Sequence, residues 1–301
     1  MDRLTAVLIL VLAAGSVVSA KSGSVLVTAE MRAAGIRNCE RFEWAANFRD
    51  ALIAQLEPWM ALSDEELWAL LPGQEMPRDA GVMRGDEGCP NCGAEHYQAP
   101  YSPSRWHVDL LGRPWQVQCR NCQEWFPRND FAAYYRSALD EQGKFRLGRG
   151  DPHFLQAAPG EPADWTDDGA GMVIGEHKWF FAAYYAFRVW QQLLDVTEKA
   201  AIVYTLTGDL TYAHKAGVLL DRMADLYPEM DYLPSFRLGM EASTGGSGRG
   251  RVQGKIWETW TAQMCSLAYD QIYDALLQDQ ELVAFATRMS ERYGTGDKSS
   301  G

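Results

Sequence analysis

A mainly helical fold interrupted by one small β module is predicted by three observations. Apolar residues recur at spacings of three and four on both sides of the middle of the chain, the period of a helix with one buried face. From residue 131 onward such segments are joined by short turns, for example Thr207-Gly208-Asp209, which is the grammar of antiparallel helix pairs in a bundle, solenoid or α/α barrel. Residues 81–130 instead carry Gly, Pro, paired cysteines and short aromatic segments such as Trp115-Gln116-Val117-Gln118. The strand-poor pattern after residue 130 argues against a parallel α/β sheet.

In chain order, Arg3 supplies a positive start, Leu4–Ala14 an apolar run and Val18-Ser19-Ala20 a small-residue cleavage site, the pattern of an export signal over residues 1–20. The expectation is an exported protein, periplasmic or extracellular, whose mature chain begins near Lys21; an uncleaved anchor is the alternative. The apolar run is short for a membrane span and no later segment is longer, so no span is expected after cleavage. Residues 21–80 read as N-terminal helices. Phe42, Trp44, Ala45, Phe48, Leu52, Ile53 and Leu56 recur at helical spacing, and Pro58 predicts a break or kink. Ser63 with Glu66 forms a capping box before Leu67, Leu70 and Leu71, and Pro72-Gly73 ends that helix.

The strongest signal is a pair of turns, Cys89-Pro90-Asn91-Cys92-Gly93 and Cys119-Arg120-Asn121-Cys122. Two C-x-x-C pairs each present two thiolates to one tetrahedral ion, which predicts a zinc-ribbon-like insert over 81–130 with Cys89, Cys92, Cys119 and Cys122 as ligands of Zn2+. Four sulfurs leave no open position for water, so the metal would be structural. The alternative is two disulfides. His96 and His107 lie between the turns and read as bystanders, and Cys39 and Cys265 as buried small apolar residues.

Asn129 and Asp130 then cap a helix through Phe131, Tyr134, Tyr135 and Leu139. Residues 140–175 are loop-rich and contain Asp167-Asp168-Gly169; a pair of adjacent carboxylates is a poor calcium site, and Asp167 reads rather as a loop or cap residue. From His177 the pattern is helical: Trp179, Phe180, Ala183, Tyr184, Phe187, Trp190, Gln191 and Leu194 form one stripe, and a second helix runs to Thr207. A third carries Ala213, Ala216, Gly217, Leu220, Met223 and Ala224, ending at Tyr227-Pro228. After the Gly-rich stretch 245–254 come a helix with Trp257, Trp260, Met264, Leu267 and Ala268, then Gln280–Tyr293 and the polar tail Gly294–Gly301.

The formal charge of −12 argues against nucleic-acid binding, since no basic face is present. The 11 tryptophans suit carbohydrate stacking and a helical core equally.

The order of these motifs resembles a known family. A signal segment, the C-P-x-C-G…C-x-x-C insert, Trp125-Phe126-Pro127-x-Asn129-Asp130, Asp167-Asp168-Gly169, the Trp179 helix, Thr207-Gly208-Asp209-x-x-Tyr212-Ala213 and Lys255-Ile256-Trp257-Glu258 together resemble the N-terminal half of heparinase II/III-like polysaccharide lyases, a group similar to alginate lyases. The resemblance covers residues 25–300. It implies an incomplete (α/α) toroid over 131–293, normally followed by a β-sandwich, and β-elimination next to a uronic acid, with an anionic polysaccharide as partner. That reaction needs a neutralised uronate carboxylate, a base for the C5 proton and an acid for the leaving oxygen. In such lyases an Asn and a His on one helix, with a later Tyr, usually serve. Here no Asn follows Asn129 and the last His is His214, so these residues are expected beyond this chain, which then reads as an N-terminal portion.

Within the chain, the resemblance would set His177, Trp179 and Tyr184 or Tyr185 along a central cleft as a sugar-binding wall; core aromatics plus one satisfied His is the alternative. Trp257 and Glu258 are further candidate sugar contacts, with core packing or a helix-surface charge as the alternative. Arg251, with Arg237, Arg249 and Lys255, forms the one local concentration of positive charge, which suits a uronate chain or, as the alternative, a solvated, mobile loop. Two other readings stay open: a non-catalytic zinc-stabilised module that binds glycans or protein, and an α/α-toroid glycoside hydrolase, which requires two facing carboxylates.

Overall fold

Between Phe181 and Tyr204 apolar residues occupy every side of the helical wheel, and a helix apolar all round must be buried. Helix α5, Phe181–Thr207, is accordingly the axis of the protein: 27 residues, with the unbroken run from Phe181 to Phe187 wholly buried. A computed structural model describes residues 21–82, 88–97, 106–230, 252, 257–296 and 298. The export signal expected over residues 1–20, the expected arginine-rich cluster and half of the polar tail lie outside the described residues.

The N-terminal helices are α1, Ala29–Arg41, α2, Glu43–Met60, and α3, Asp64–Ala69. Thr28 caps α1 by accepting from Met31 N–H, and the Ser63/Glu66 capping box opens α3 as expected. Pro58 does not break α2, which runs on to Met60. Its buried face is Ala45, Leu52, Leu56 and Trp59, whereas Phe42, Trp44 and Phe48 are exposed. Both sets share a helical period, so packing alone decides which one points inward.

After the inserted module, α4, Phe131–Ser137, is followed by strands β3, Met172–Ile174, and β4, His177–Trp179; β1 and β2 are described with the metal centre below. Strands β3 and β4 pair antiparallel in the register Met172↔Trp179 and Ile174↔His177. This corrects the sequence expectation. His177 and Trp179 lie on a hairpin strand, not a helix, because the Gly175-Glu176 turn folds Lys178 and Trp179 back onto Val173 and Met172. The two helices expected from here to Thr207 are one, since no Gly or Pro interrupts the span. It stops at Gly208, left-handed at φ 76°, whose N–H bonds to Tyr204 O at 2.8 Å.

Helix α6, Leu210–Leu226, returns antiparallel to α5, and α7, Glu258–Leu276, and α8, Gln280–Tyr293, complete the described helices. The Thr205 hydroxyl of α5 meets Gln271 Oε1 of α7 at 3.0 Å. Trp190 of α5 borders, with Met223, Thr261, Cys265 and Tyr269, an apolar groove of about 410 Å³ between α6 and α7. Helices α5 and α7 therefore run parallel and in direct contact, and α6, packed against both, runs in the opposite sense. Cys39 is buried as expected, while Cys265 is only half-buried on that groove. Among the described residues no helix is long and apolar enough to cross a membrane.

Two ionic clamps hold the periphery. Asp270 on α7 accepts from Lys21 Nζ at 2.6 Å and from the backbone N–H of Val25, Leu26 and Val27 at 2.8–3.0 Å. Burial by itself would raise its carboxyl, but these four donors hold it well below the usual carboxylate range. On the other side, His214 of α6 bridges Asp64 of α3, Nε2 to Oδ2 at 3.0 Å, and Asp279, the cap of α8, Nδ1 to Oδ2 at 2.8 Å. Desolvation opposes the charge on His214, yet the two carboxylates win and its pKa is raised.

A raised histidine pKa stabilises the fold fully below the unfolded value, about 6.5, and that contribution is lost as pH rises through the folded pKa. Urea unfolding at pH 6 and pH 9 is expected to show a drop of about 1 kcal/mol in the native chain beyond that of His214→Gln. Equal pH dependence of the two proteins would sink the clamp.

Candidate metal centre

The inserted module is built from two matched knuckles. In the first, Cys89 N–H bonds to Gly93 O at 3.1 Å and Gly93 N–H to Cys89 O at 2.8 Å. In the second, Cys119 N–H bonds to Glu124 O and Gln123 N–H to Cys119 O, both at 2.9 Å. The residue after each C-x-x-C takes a left-handed backbone, Gly93 at φ 55° and Gln123 at φ 64°, which turns the chain back under its own sulfurs. Gly88 is fixed by close approach: a Cβ there would sit 2.1 Å from Gly93 O. Strands β1, Val117–Gln118, and β2, Trp125–Phe126, flank the second knuckle in the register Val117↔Phe126. His107 adds a third, bridging strand by exchanging two backbone bonds with Gln118.

This frame converges four thiol groups. All four sulfurs lie within 4.8 Å of one another, and the pairs Cys89–Cys122 and Cys92–Cys119 are each 3.7 Å apart. A tetrahedron with metal–sulfur bonds of about 2.3 Å has edges of about 3.8 Å, whereas a disulfide needs about 2.05 Å. The spacing fits one tetrahedral ion, and all six cysteines are free. Among the described residues this is the one group of three or more His, Cys, Asp or Glu placed to hold an ion.

The sulfurs have their own donors. Asn91 N–H points at Cys89 Sγ at 3.4 Å, and His96 Nδ1 lies 3.2 Å from Cys119 Sγ. Cys119 is pushed down to about 3, first by the Cys89 thiol as donor and then, against burial, by His96 and the backbone N–H groups of Cys122 and Asn121; Cys89 is raised as its proton-holding partner. His96 is therefore no bystander. It is buried, stacks on Trp106 at 4.6 Å and orients a ligand, as partners of metal ligands commonly do. Its place four residues after Cys92 was the available signal. His107 is exposed and faces the Trp125 ring at 5.7 Å.

The knuckles are not pendant. Phe126 stacks on Phe181 at 4.8 Å, Trp106 meets the same ring edge-on at 4.9 Å, and Tyr185 donates to Leu110 O at 3.3 Å. Cys89 and Cys119 belong to the same apolar core as α5.

A second contact ties the module to that helix. Asn129 Oδ1 accepts from Asp167 N–H at 3.0 Å, while Asn129 Nδ2 donates to Asp167 O at 3.1 Å and to Phe154 O at 3.0 Å. The Asp167 carboxylate accepts from Gly169 at 2.7 Å, Gly171 at 3.1 Å and Ala182, in the first turn of α5, at 3.1 Å. Burial pushes this carboxyl up to about 6 against the pull of those N–H groups. The α4 cap is Asp130 alone, accepting from Ala133 N–H at 2.9 Å; Asn129, expected to share it, serves the Asp167 lock instead. Asp168 accepts from Ala170 N–H within the same loop.

The other sequence-predicted residues fall as follows. Trp179 and Tyr184 are buried in the core, at 3% and 2% exposure. His177 is exposed, its ring edge-on to Trp179 at 5.8 Å. Trp257 is half-exposed beside Trp260, with ring centres 5.0 Å apart. Glu258 accepts from the Tyr227 hydroxyl and from Val252 N–H, both at 2.9 Å. Arg251, with Arg237, Arg249 and Lys255, lies outside the described residues.

No family model matches the chain, and no curated protein and no solved structure is significantly similar to it.

Proposed function

We propose that this chain is the N-terminal part of an exported lyase of the heparinase II/III-like type, acting on uronate-containing polysaccharide by β-elimination. In this reading a zinc ion held by Cys89, Cys92, Cys119 and Cys122 stabilises the module, and the hairpin of α5 and α6 with α7 and α8 belongs to an (α/α) toroid. Four thiolates at tetrahedral spacing suit zinc and leave no coordination site for substrate, so the ion organises structure and carries no step of the reaction. The observation that supports the reading most is the coupling of its motifs. Asn129 of the Trp-Phe-Pro-x-Asn-Asp segment, Asp167 and the first turn of α5 form one hydrogen-bonded unit, and the cysteine module packs on the same turn through Phe126 and Trp106.

The same structure favours a division of labour. Asn129 is committed to Asp167, and His214 to Asp64 and Asp279, so neither is free to serve elimination. The chain by itself is expected to bind polyuronate without generating the ultraviolet absorbance of an unsaturated uronate. A protein carrying the downstream Asn, His and Tyr generates it. Absence of polyuronate binding would exclude the proposal. Binding without an unsaturated product in any longer form favours instead a non-catalytic, metal-stabilised glycan-binding module, the reading that the commitment of Asn129 and His214 also supports.

A further inference from the structure

Arg222 sits at the C-terminal end of α6 and is 8% exposed. Its guanidinium lies 3.7 Å from the centre of the Trp68 ring, which itself stacks on Tyr293 at 4.8 Å. Its Nε is buried with no hydrogen-bond partner. Among the described residues no carboxylate pairs with it, and desolvation lowers its pKa. A buried guanidinium nitrogen without an acceptor is costly, since its donor has been taken from water.

This arginine lines a cavity of about 340 Å³ between the Gly73–Glu75 turn, the Gln142–Lys144 turn and the C-terminal ends of α6 and α8, at the lower end of the ligand-pocket range of about 300–1,000 Å³. Three acids also line it, and they share two lysines. Lys144 lies 3.8 Å from Glu75 and 3.6 Å from Glu229, and Lys298 lies 2.6 Å from Asp225. Arg222 is the lining cation that makes no contact ion pair among the described residues, with Asp225 and Asp221 acting on it only from a distance.

We propose that this cavity binds a small monocarboxylate that also carries hydrogen-bond donors, with Arg222 holding the carboxylate and the acids of the rim receiving the donors. A planar guanidinium matches a carboxylate in shape and takes it with two parallel bonds. One guanidinium without a hydrogen-bonding partner among the described residues calls for one carboxylate. A dianion such as phosphate is disfavoured by the three nearby acids and by the negative ends of α6 and α8, whose last turns face the cavity. Sugar acids fit this description, and so do amino acids. The site is separate from the cysteine cluster and does not rest on the lyase reading.

The test uses the full chain with D-glucuronate, D-glucose, glycine and inorganic phosphate as probes, read by calorimetry and by quenching of tryptophan fluorescence. D-glucuronate or glycine is expected to bind, with the other probes at least tenfold weaker. Which of the two carboxylates binds better separates the sugar-acid from the amino-acid source. Arg222→Met is expected to weaken that binding roughly tenfold to a hundredfold, while its melting temperature without ligand stays equal or rises, because no ion pair is lost. Arg222→Lys keeps the charge and stem but not the fork, and is expected to lose most of the affinity while folding normally. The proposal is overturned if neither carboxylate binds, if glucose or phosphate binds as well as either, or if Arg222→Lys binds as tightly as the native chain. Carboxylate binding at Arg222 in a protein that never yields an unsaturated uronate leaves this inference standing and removes only the lyase reading.

Discussion

Replacing Cys119 with serine is expected to abolish metal binding and unfold the inserted module together with the N-terminal end of α5. The native chain, purified without added metal, should carry one zinc per chain by elemental analysis. Apparent binding free energies of structural zinc sites, about 10–16 kcal/mol in small peptides, rival the whole stability of a domain, about 5–15 kcal/mol. Loss of the ion therefore cannot stay local here. Cys119 and Cys89 are core residues, and Phe126 and Trp106, which flank the knuckles, pack on Phe181 of α5. A strong chelator should reproduce the effect in the native chain. His96→Gln should be milder, with metal affinity about 10- to 100-fold lower and the fold retained, because His96 contacts the Cys119 sulfur without being needed as a ligand. Cys39→Ser and Cys265→Ser should leave the metal content unchanged. A native chain with no metal, and no free thiols at these four positions, would contradict the assignment.

The second large effect is expected at the Asn129–Asp167 lock. Asp167→Ala removes the acceptor for three backbone N–H groups, and Asn129→Ala removes three hydrogen bonds across two loops. Both side chains are buried, at 1% and 3% exposure, so the abandoned donors and acceptors have no ready access to water. Each orphaned buried group costs about 1–3 kcal/mol, and each substitution is expected to destabilise by about 3–5 kcal/mol in denaturant unfolding. The two act on one network, so the double variant should cost less than the sum of the singles. Losses below about 1 kcal/mol, or strict additivity, would show that the two loops are held by other contacts.

Several elements are legible in the amino-acid sequence for a common reason. The cysteine pairs, the Ser63/Glu66 box, the Asp130 cap and the Gly208 stop are each complete within a few residues of chain. Their chemistry depends on spacing that the covalent backbone already sets. The same holds for the helical character of the chain, which follows from a period of three and four.

Other features depend on neighbours that the sequence places far away. The α2 stripe offers Trp44 and Phe48 to the core as readily as Leu52 and Leu56, and only packing against α5 chooses between them. His177 reads as helical because the residues after it are, until pairing with Ile174 draws it into a strand. Asn129 looks like a cap because capping is a local option for asparagine, yet Asp167 and Phe154 offer it three bonds from other loops. Arg222 is one arginine among many in the sequence, and its missing partner is visible only once Glu75, Asp225 and Glu229 are seen with their lysines. The knuckles, the caps and the helical content are thus written in the chain itself, because they are interactions of near neighbours. Which faces are buried, which motifs touch and which charge makes no contact ion pair follow from folding, because burial and pairing are properties of what the rest of the chain brings alongside.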